Sequence, residues 1–405
     1  MDKTPILVLN AGSSTLKVAV YEFPQPRLVW EGLLDWSAQQ LKFSVPVGDS
    51  VYHHRQSLAD MGTVDRSIMV ERFLANLWEG QHPVVDSPQQ IQLIGHRVVH
   101  GGDRYAQAVL IDDLVIQAIQ DFTPFAPIHN PSALEGIRHA QHLFKAAQVA
   151  VFDTAFHAHL PQTSAIYPIP YHYFEAGIRR YGFHGTSHRF VSHRSAQLLN
   201  KPLTSLKLIS CHLGNGCSLA AIEGGISIDT TMGLTPLAGL MMGTRSGDID
   251  PSILLHLGRT ANMDWDSLDR LLNKESGLLG VSGISSDLRA ILHAKAEQHP
   301  RAILAYDLFI HRLRSCMGAM LASLGGIDGI IFTGGIGENA SQVRQDCLAN
   351  FRFLGISIDT FSNEQGKGDR LISDGSGQIP VLVIHTQEER AIAEECWQMV
   401  HGAVS

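Results

Sequence analysis

The chain has 405 residues, of which 44% are hydrophobic and 17% charged, and its net charge is −8. That composition suits a globular enzyme of about two domains and excludes a disordered or fibrous chain. The acidic balance argues against bulk binding to nucleic acid or an anionic membrane, so neither is expected as a partner. Any anionic substrate must therefore be met by a few local cations.

In chain order, residues 6–21 read as a strand, a turn of small residues and a second strand. Gly12, Ser13, Ser14 and Thr15 would bring backbone N–H groups close to an anion, and Lys17 would add a point charge. An ordinary hairpin with a Gly/Ser turn explains the same residues. Residues 23–70 show little sustained periodicity. A helix is predicted over 69–78, a strand over 91–99 leading into His100-Gly101-Gly102, and a helix over 111–121. A proline-rich loop containing His129 stops at Asn130-Pro131, and a helix begins near Ser132. His129 is either ligand-facing or a capped loop histidine. A strand over 147–152 ends at Asp153. Residues 161–171 carry Pro161, Pro168 and Pro170 and should run over the surface. A polar loop over 179–188 precedes a helix to about Leu199.

At Leu208 the opening pattern returns. Residues 208–222 align without a gap on residues 6–20, with Gly12 on Gly214 and Asn10 on His212. Such self-similarity predicts two related lobes, each opening with a hairpin of the same kind. A third glycine loop, Gly334 to Asn339, follows a strand over 329–333 and precedes a helix to about Asn350. Gly335, Gly337 and Ala340 match a dinucleotide fingerprint, and Asp359, read as ending the next strand, lies where a ribose-binding acid would be. An NAD(P)-dependent dehydrogenase is thus an alternative of another class. It leaves the two hairpins unexplained, whereas a nucleotide with several phosphates, in a cleft between two lobes, accounts for all three loops.

Single polar residues have bland alternatives. Arg97, inside an apolar strand ending, is either paired structurally or aimed at an anion. Arg245 lies in a small-residue loop, Gly243 to Asp248, and poses the same choice. Asp153 is at a strand's C-terminal end, where open α/β sheets present catalytic groups, or is a helix N-cap. Among 21 histidines, His184 and His188 have i, i+4 spacing but lack the glutamate of a zinc-protease helix. No nucleophile elbow and no P-loop occurs. Five cysteines without a C-x-x-C pair give no disulfide framework, which suits a reducing cytosol. No signal peptide or membrane-spanning run is predicted.

Taken together, the motifs resemble the acetate kinase family. They are NAGSSTLK at 10–17, HRVVHGG at 96–102, APIHNP at 126–131, FDTAFH at 152–157 and RRYGFHGTSH at 179–188. HLGNGCS at 212–218, MGTRSGDIDP at 242–251, FTGGIGEN at 332–339 and TQEE at 386–389 complete the series in family order. The resemblance implies an α/β, two-lobed, duplicated ribonuclease-H-like fold of the sugar-kinase, actin and heat-shock ATPase superfamily. The N-terminal lobe would comprise residues 1–152 plus about 386–405, and the nucleotide-binding lobe residues 153–385. It implies reversible transfer from ATP to acetate, giving ADP and acetyl phosphate, with Mg²⁺ (or Mn²⁺), in a cytoplasmic homodimer.

Residue roles follow from the same resemblance. Arg97 and Arg245 would bracket the acetate and the moving phosphoryl group, with Asp153 and His184 completing the catalytic set. Asn10 and Glu388 match the metal positions; Ser13 and Lys17 match the phosphate-side hairpin. The nucleotide would be held by His212, Leu213, Gly214, Asn215 and Gly216, by Asp287, Leu288 and Arg289, and by Gly335, Ile336, Gly337, Glu338 and Asn339. The acetate methyl would enter a pocket of Val99, Phe183 and Pro236, with Ile128 beside it. Acetate is already a carboxylate at neutral pH, so Asp153 is expected to orient an arginine or a magnesium-bound water rather than take a proton. Three positions depart from the family's usual residues: Thr15 for serine, Ile128 for leucine and Gln387 for asparagine. Propionate kinases share nearly all these motifs, with a smaller residue at the position of Val99; Val99 therefore favours acetate over propionate by little, since one methylene is worth only about 1–3 kcal/mol.

Overall fold

The computed structural model describes residues 3–12, 14–61 and 65–402; Ser13 lies outside them. The chain divides into two compact units, residues 1–158 with 387–405, and residues 159–386. The division falls after Ala158 and not before Asp153. The cause is local: Asp153 bonds to Arg97, and the Gly101 N–H donates to the Thr154 hydroxyl, both within the first unit.

The first unit has one eight-stranded sheet. Its strands are β1 Thr4–Ala11, β2 Thr15–Phe23, β3 Arg27–Asp35, β4 Gln40–Val47, β5 Ser50–Ser57, β6 Leu93–Val98, β7 Val109–Leu110 and β8 Ala147–Phe152. They lie in the order β5-β4-β3-β2-β1-β6-β8-β7. Alternation along β1 splits its side chains between two apolar layers. Leu7 and Leu9 pack with Phe73, Leu74 and Leu77 of the helix Arg66–Glu79 and Ala140 of the helix Asn130–Leu143. Ile6 and Val8 pack on the other face with Ile392, Ala393 and Cys396 of the helix Glu388–His401. Gly95 on β6 permits that approach, because a Cβ there would lie 2.6 Å from Ile392 and 2.7 Å from Cys396.

Residues 23–70, which look aperiodic, contain three strands of this sheet. A register shift at Val20/Tyr21 in the β2–β3 pairing breaks the two-residue alternation. On β5 no residue is fully buried, so no apolar stripe marks it.

The second unit holds β9 Lys207–Leu213, β10 Cys217–Glu223, β11 Ile226–Thr230, β12 Gly329–Thr333, β13 Arg370–Leu371 and β14 Val381–Val383, in the order β11-β10-β9-β12-β14-β13. The run β11-β10-β9-β12-β14 repeats β3-β2-β1-β6-β8 in order and in sense: two antiparallel pairings followed by two parallel ones. The duplication is therefore a property of the fold, not only of two short sequences. The hairpins differ by one residue at the turn. Ala11 pairs with Leu16, but its counterpart Leu213 pairs with Cys217 and not Ser218. The helix Pro300–Leu324 packs on this sheet, burying Ala305, Tyr306, Phe309, Leu313, Met317 and Met320 along one stripe.

The dinucleotide reading fails at the element after the glycine loop. Asp359 ends no strand; its carboxylate accepts from the Ser362 N–H at 2.7 Å and caps the helix Thr360–Gln365. The neighbours of β12 are β9 and β14. All five cysteines are free thiols. No described helix is long and apolar enough to cross a membrane.

Candidate active site

In the first unit the parallel pairing of β6 with β8 brings Arg97 and Asp153 together at the C-terminal ends of neighbouring strands. The Arg97 Nε donates to Asp153 Oδ1 at 2.9 Å and Nη2 to Oδ2 at 2.6 Å, a bidentate fork. Asp153 is 1% exposed. Burial alone would lower the Arg97 pKa, but Asp153, Glu388 and Glu389 hold it above its ordinary value.

Around this pair lie oxygen donors. Asn10 Oδ1 is 3.4 Å and Glu388 Oε2 3.6 Å from Arg97 Nη1. Lys17 faces Asn10 directly across the β1–β2 ladder. Glu389, which motif reading passed over, braces both: it accepts from Asn10 Nδ2 at 3.2 Å and lies 3.9 Å from Lys17 Nζ. Two adjacent acids opening the helix Glu388–His401 were the signal available for it, since acids favour a helix N-terminus. One amide and one carboxylate oxygen suit Mg²⁺, which binds few protein ligands and completes its shell with water and phosphate oxygens. Among the described residues, no three His, Cys, Asp or Glu side chains form a group that could hold a metal ion.

Other residues of this unit frame the site. Val99 is buried just beyond β6, whereas Ile128 is 42% exposed. His129 takes the N-cap position of Asn130–Leu143, and the buried Asn130 bonds the His100 backbone through both amide atoms. A cavity of about 630 Å³ opens over β2 to β5 but shares only Lys17 and Glu389 with this cluster.

In the second unit His184 adopts a left-handed conformation, φ 57°, at the N-cap of the helix Gly185–Leu199. Its ring stacks on His212 with centroids 4.2 Å apart. Its Nδ1 lies 2.9 Å from Ser218 Oγ. Arg245 Nη1 donates to the Pro236 carbonyl at 2.7 Å. It has no acidic partner among the described residues, and burial lowers its pKa. The turn Gly214-Asn215-Gly216 joins β9 to β10. A Cβ on Gly216 would lie 3.5 Å from His184 Nε2 and 3.6 Å from Arg245 Nη2. A cation without a carboxylate thus meets an imidazole at a small-residue turn, which is the chemistry of an anion cradle. Phe183, beside His184, is buried.

The remaining nucleotide candidates divide by what their side chains do. Gly335 faces open space. Gly334, at φ +76°, packs against Leu213, where a Cβ would come within 2.7 Å of its carbonyl oxygen. Glu338 turns inward: Oε1 accepts from the Gly334 and Thr386 N–H groups at 3.0 Å each, and Oε2 meets His385 Nδ1 at 2.5 Å. Despite burial, these bonds lower its pKa. Asn339 Nδ2 donates to the Gly335 carbonyl at 2.8 Å. Glu338 and Asn339 therefore shape the loop, which leaves Gly335 exposed and Ile336 half-buried at its surface, while Gly337 is buried against Phe332 and Cys211. Asp287 caps the helix Leu288–Ala296 and pairs with Arg289 at 2.6 Å. His188 is a fully buried histidine with both ring nitrogens on serine hydroxyls.

The Acetokinase family profile matches residues 5–394. The acetate kinase of Cyanothece sp. is 52% identical over 402 residues, covering 98% of each chain. Among solved structures, Porphyromonas gingivalis acetate kinase has a TM-score of 0.88 at 36% identity, covering 98% of this chain and 100% of that one. A propionate kinase from Francisella tularensis has a TM-score of 0.87 at 37% identity, covering 97% and 98%. The chain belongs to the acetokinase family and is a phosphotransferase with a carboxyl group as acceptor.

Proposed function

We propose that the enzyme catalyses reversible, Mg²⁺-dependent phosphoryl transfer from ATP to acetate, giving acetyl phosphate and ADP. A carboxylate oxygen of acetate attacks the γ-phosphorus, and the bond to the bridging oxygen of ADP breaks on the opposite side. No proton moves in this direction, because the nucleophile is already ionised. Positioning and charge stabilisation must then supply the rate.

Arg245 carries this reading. A largely buried guanidinium without an acidic partner among the described residues, beside His184 and Gly216, needs an anion to offset its desolvation. Arg245 and His184 meet charge on the transferring group. Arg97 orients the acetate carboxylate and the phosphoryl oxygens, and Asp153 holds the Arg97 fork in place. Asn10 and Glu388 would hold magnesium, which when bound offsets charge on the β- and γ-phosphates. Lys17 is on the phosphate side, Gly214 to Gly216 and Gly335 to Gly337 approach the nucleotide, and Val99, Ile128, Phe183 and Pro236 bound the acyl group. The enzyme works as a cytoplasmic homodimer in this reading.

Propionate is a second acceptor to weigh, because the Francisella propionate kinase is as similar as the Porphyromonas enzyme. Trapping the acyl phosphate with hydroxylamine, under Mg-ATP and with acetate, propionate or butyrate in parallel, decides between them. The hydroxamate from acetate should form fastest. Absence of hydroxamate with every acid overturns the proposal.

A further inference from the structure

Three hydrogen bonds run in series to His184, the two farther from it buried and the last part-buried. Ser210 Oγ is 2.8 Å from His188 Nδ1, His188 Nε2 is 2.8 Å from Ser218 Oγ, and Ser218 Oγ is 2.9 Å from His184 Nδ1. Ser210, His188 and Ser218 are each 0% exposed. β9 supplies Ser210, β10 supplies Ser218, and the helix Gly185–Leu199 carries His188 one turn beyond His184.

Each serine has one proton, and a neutral imidazole has one. Ser218 could accept from both rings, but its own buried O–H would then have no acceptor among the described residues, so the satisfied series points one way at a time. If His188 Nδ1–H donates to Ser210, the Ser210 hydroxyl proton has no other acceptor among the described residues, in a site closed to water. An unmet buried O–H costs about 1–3 kcal/mol. If Ser210 donates instead, every bond is made: Ser210 O–H to His188 Nδ1, His188 Nε2–H to Ser218 Oγ, and Ser218 O–H to His184 Nδ1. The proton of the neutral His184 ring is then on Nε2, the atom beside Gly216 and Arg245.

We propose that Ser210, His188 and Ser218 are positioning residues whose one-way hydrogen-bond series fixes His184 as an Nε2–H donor towards the transferring phosphoryl group. The phosphoryl part rests on the function proposed above; the tautomer does not. The other tautomer would present a lone pair to an anion, repelling the charge it should stabilise. Ser210 thus sets the polarity of a catalytic donor three hydrogen bonds away.

The test is a long-range ¹H–¹⁵N spectrum of histidine-labelled protein, with His184 assigned by the missing signal in His184→Gln. The wild type should show His184 protonated at Nε2. Ser218→Ala, a small change in a buried strand, should give a mixture of tautomers and lower kcat about tenfold to a hundredfold. KM for acetate and ATP should stay within about twofold of wild type, while Ser218→Thr should restore the Nε2–H tautomer. Ser210→Ala should shift the tautomer in the same sense, with an unchanged circular dichroism spectrum. An Nδ1–H tautomer in the wild type, or the wild-type tautomer and kcat in Ser218→Ala, overturns the proposal. If no acyl phosphate forms with any acid, the functional reading falls while the spectrum still tests the tautomer.

Discussion

Asp153→Asn separates orientation from proton transfer. The native carboxylate accepts from both Nε and Nη2 of Arg97, at 2.9 and 2.6 Å, and is almost wholly buried. Asparagine preserves the shape but offers one acceptor oxygen and turns an amide N–H towards a guanidinium N–H. One charge-assisted bond is lost, worth about 1.5–3 kcal/mol. If Arg97 stabilises the transition state only when held by that fork, the loss appears in kcat as a drop of roughly 10- to 200-fold. Glu388, 3.6 Å from Arg97, keeps part of its position and limits the effect. The assay is hydroxamate formation from acetate across a pH series, for wild type and variant. Because acetate brings no proton to remove, the drop should be uniform and the acidic limb should keep its position. Disappearance of that limb would show that Asp153 transfers a proton, and a kcat within about threefold of wild type would show that the fork does not position Arg97.

Other perturbations reach the remaining parts. Arg97→Ala and Arg245→Ala should each lower turnover by roughly 3–5 kcal/mol of barrier, and near-wild-type turnover in either removes it from the charge-stabilising set. Glu388→Gln should raise the Mg²⁺ concentration needed for half-maximal rate about tenfold or more, since a carboxylate ligand becomes a neutral amide. Glu389→Gln, which still braces Asn10, should change it less; equal effects would make Glu389 a direct ligand. His96 is buried beside Gln148, and burial lowers its pKa from 6.5 to about 4. Its contribution to stability is complete above about pH 6.5 and is lost as pH falls towards 4, because the unfolded chain takes the proton first. Urea melts of wild type and His96→Gln should therefore differ in slope by up to about 3 kcal/mol across that window; parallel curves would rule this out.

Sequence legibility followed local chemistry. β8 and β12 have the bounds expected, because each is a continuous apolar run closed by a polar or glycine stop. The hairpins at β1–β2 and β9–β10 were readable as a repeat, and the shared strand order extends that repeat to whole sheets. β3 to β5 were hidden by a register shift and by a final strand without a buried stripe. Asp359 misled because a helix cap and a ribose-binding acid look alike in one dimension. Within the site, the motif glutamate Glu338 and the overlooked Glu389 show the limit of motif reading. The first spends its oxygens on backbone amides and His385, whereas the second reaches Asn10 and Lys17 from a distant part of the chain. Ser210 carried no signal and Ser218 only its place at the end of the 212–218 motif, since buried serines gain a role only from the histidines packed against them.

The central claim is acid-dependent phosphoryl transfer, and hydroxylamine trapping tests it most directly. With Mg-ATP and purified enzyme, acetate should yield acetyl hydroxamate and ADP in equal amounts, propionate less and butyrate least. ATP hydrolysis without any hydroxamate, or ADP release that does not depend on added acid, would contradict the account.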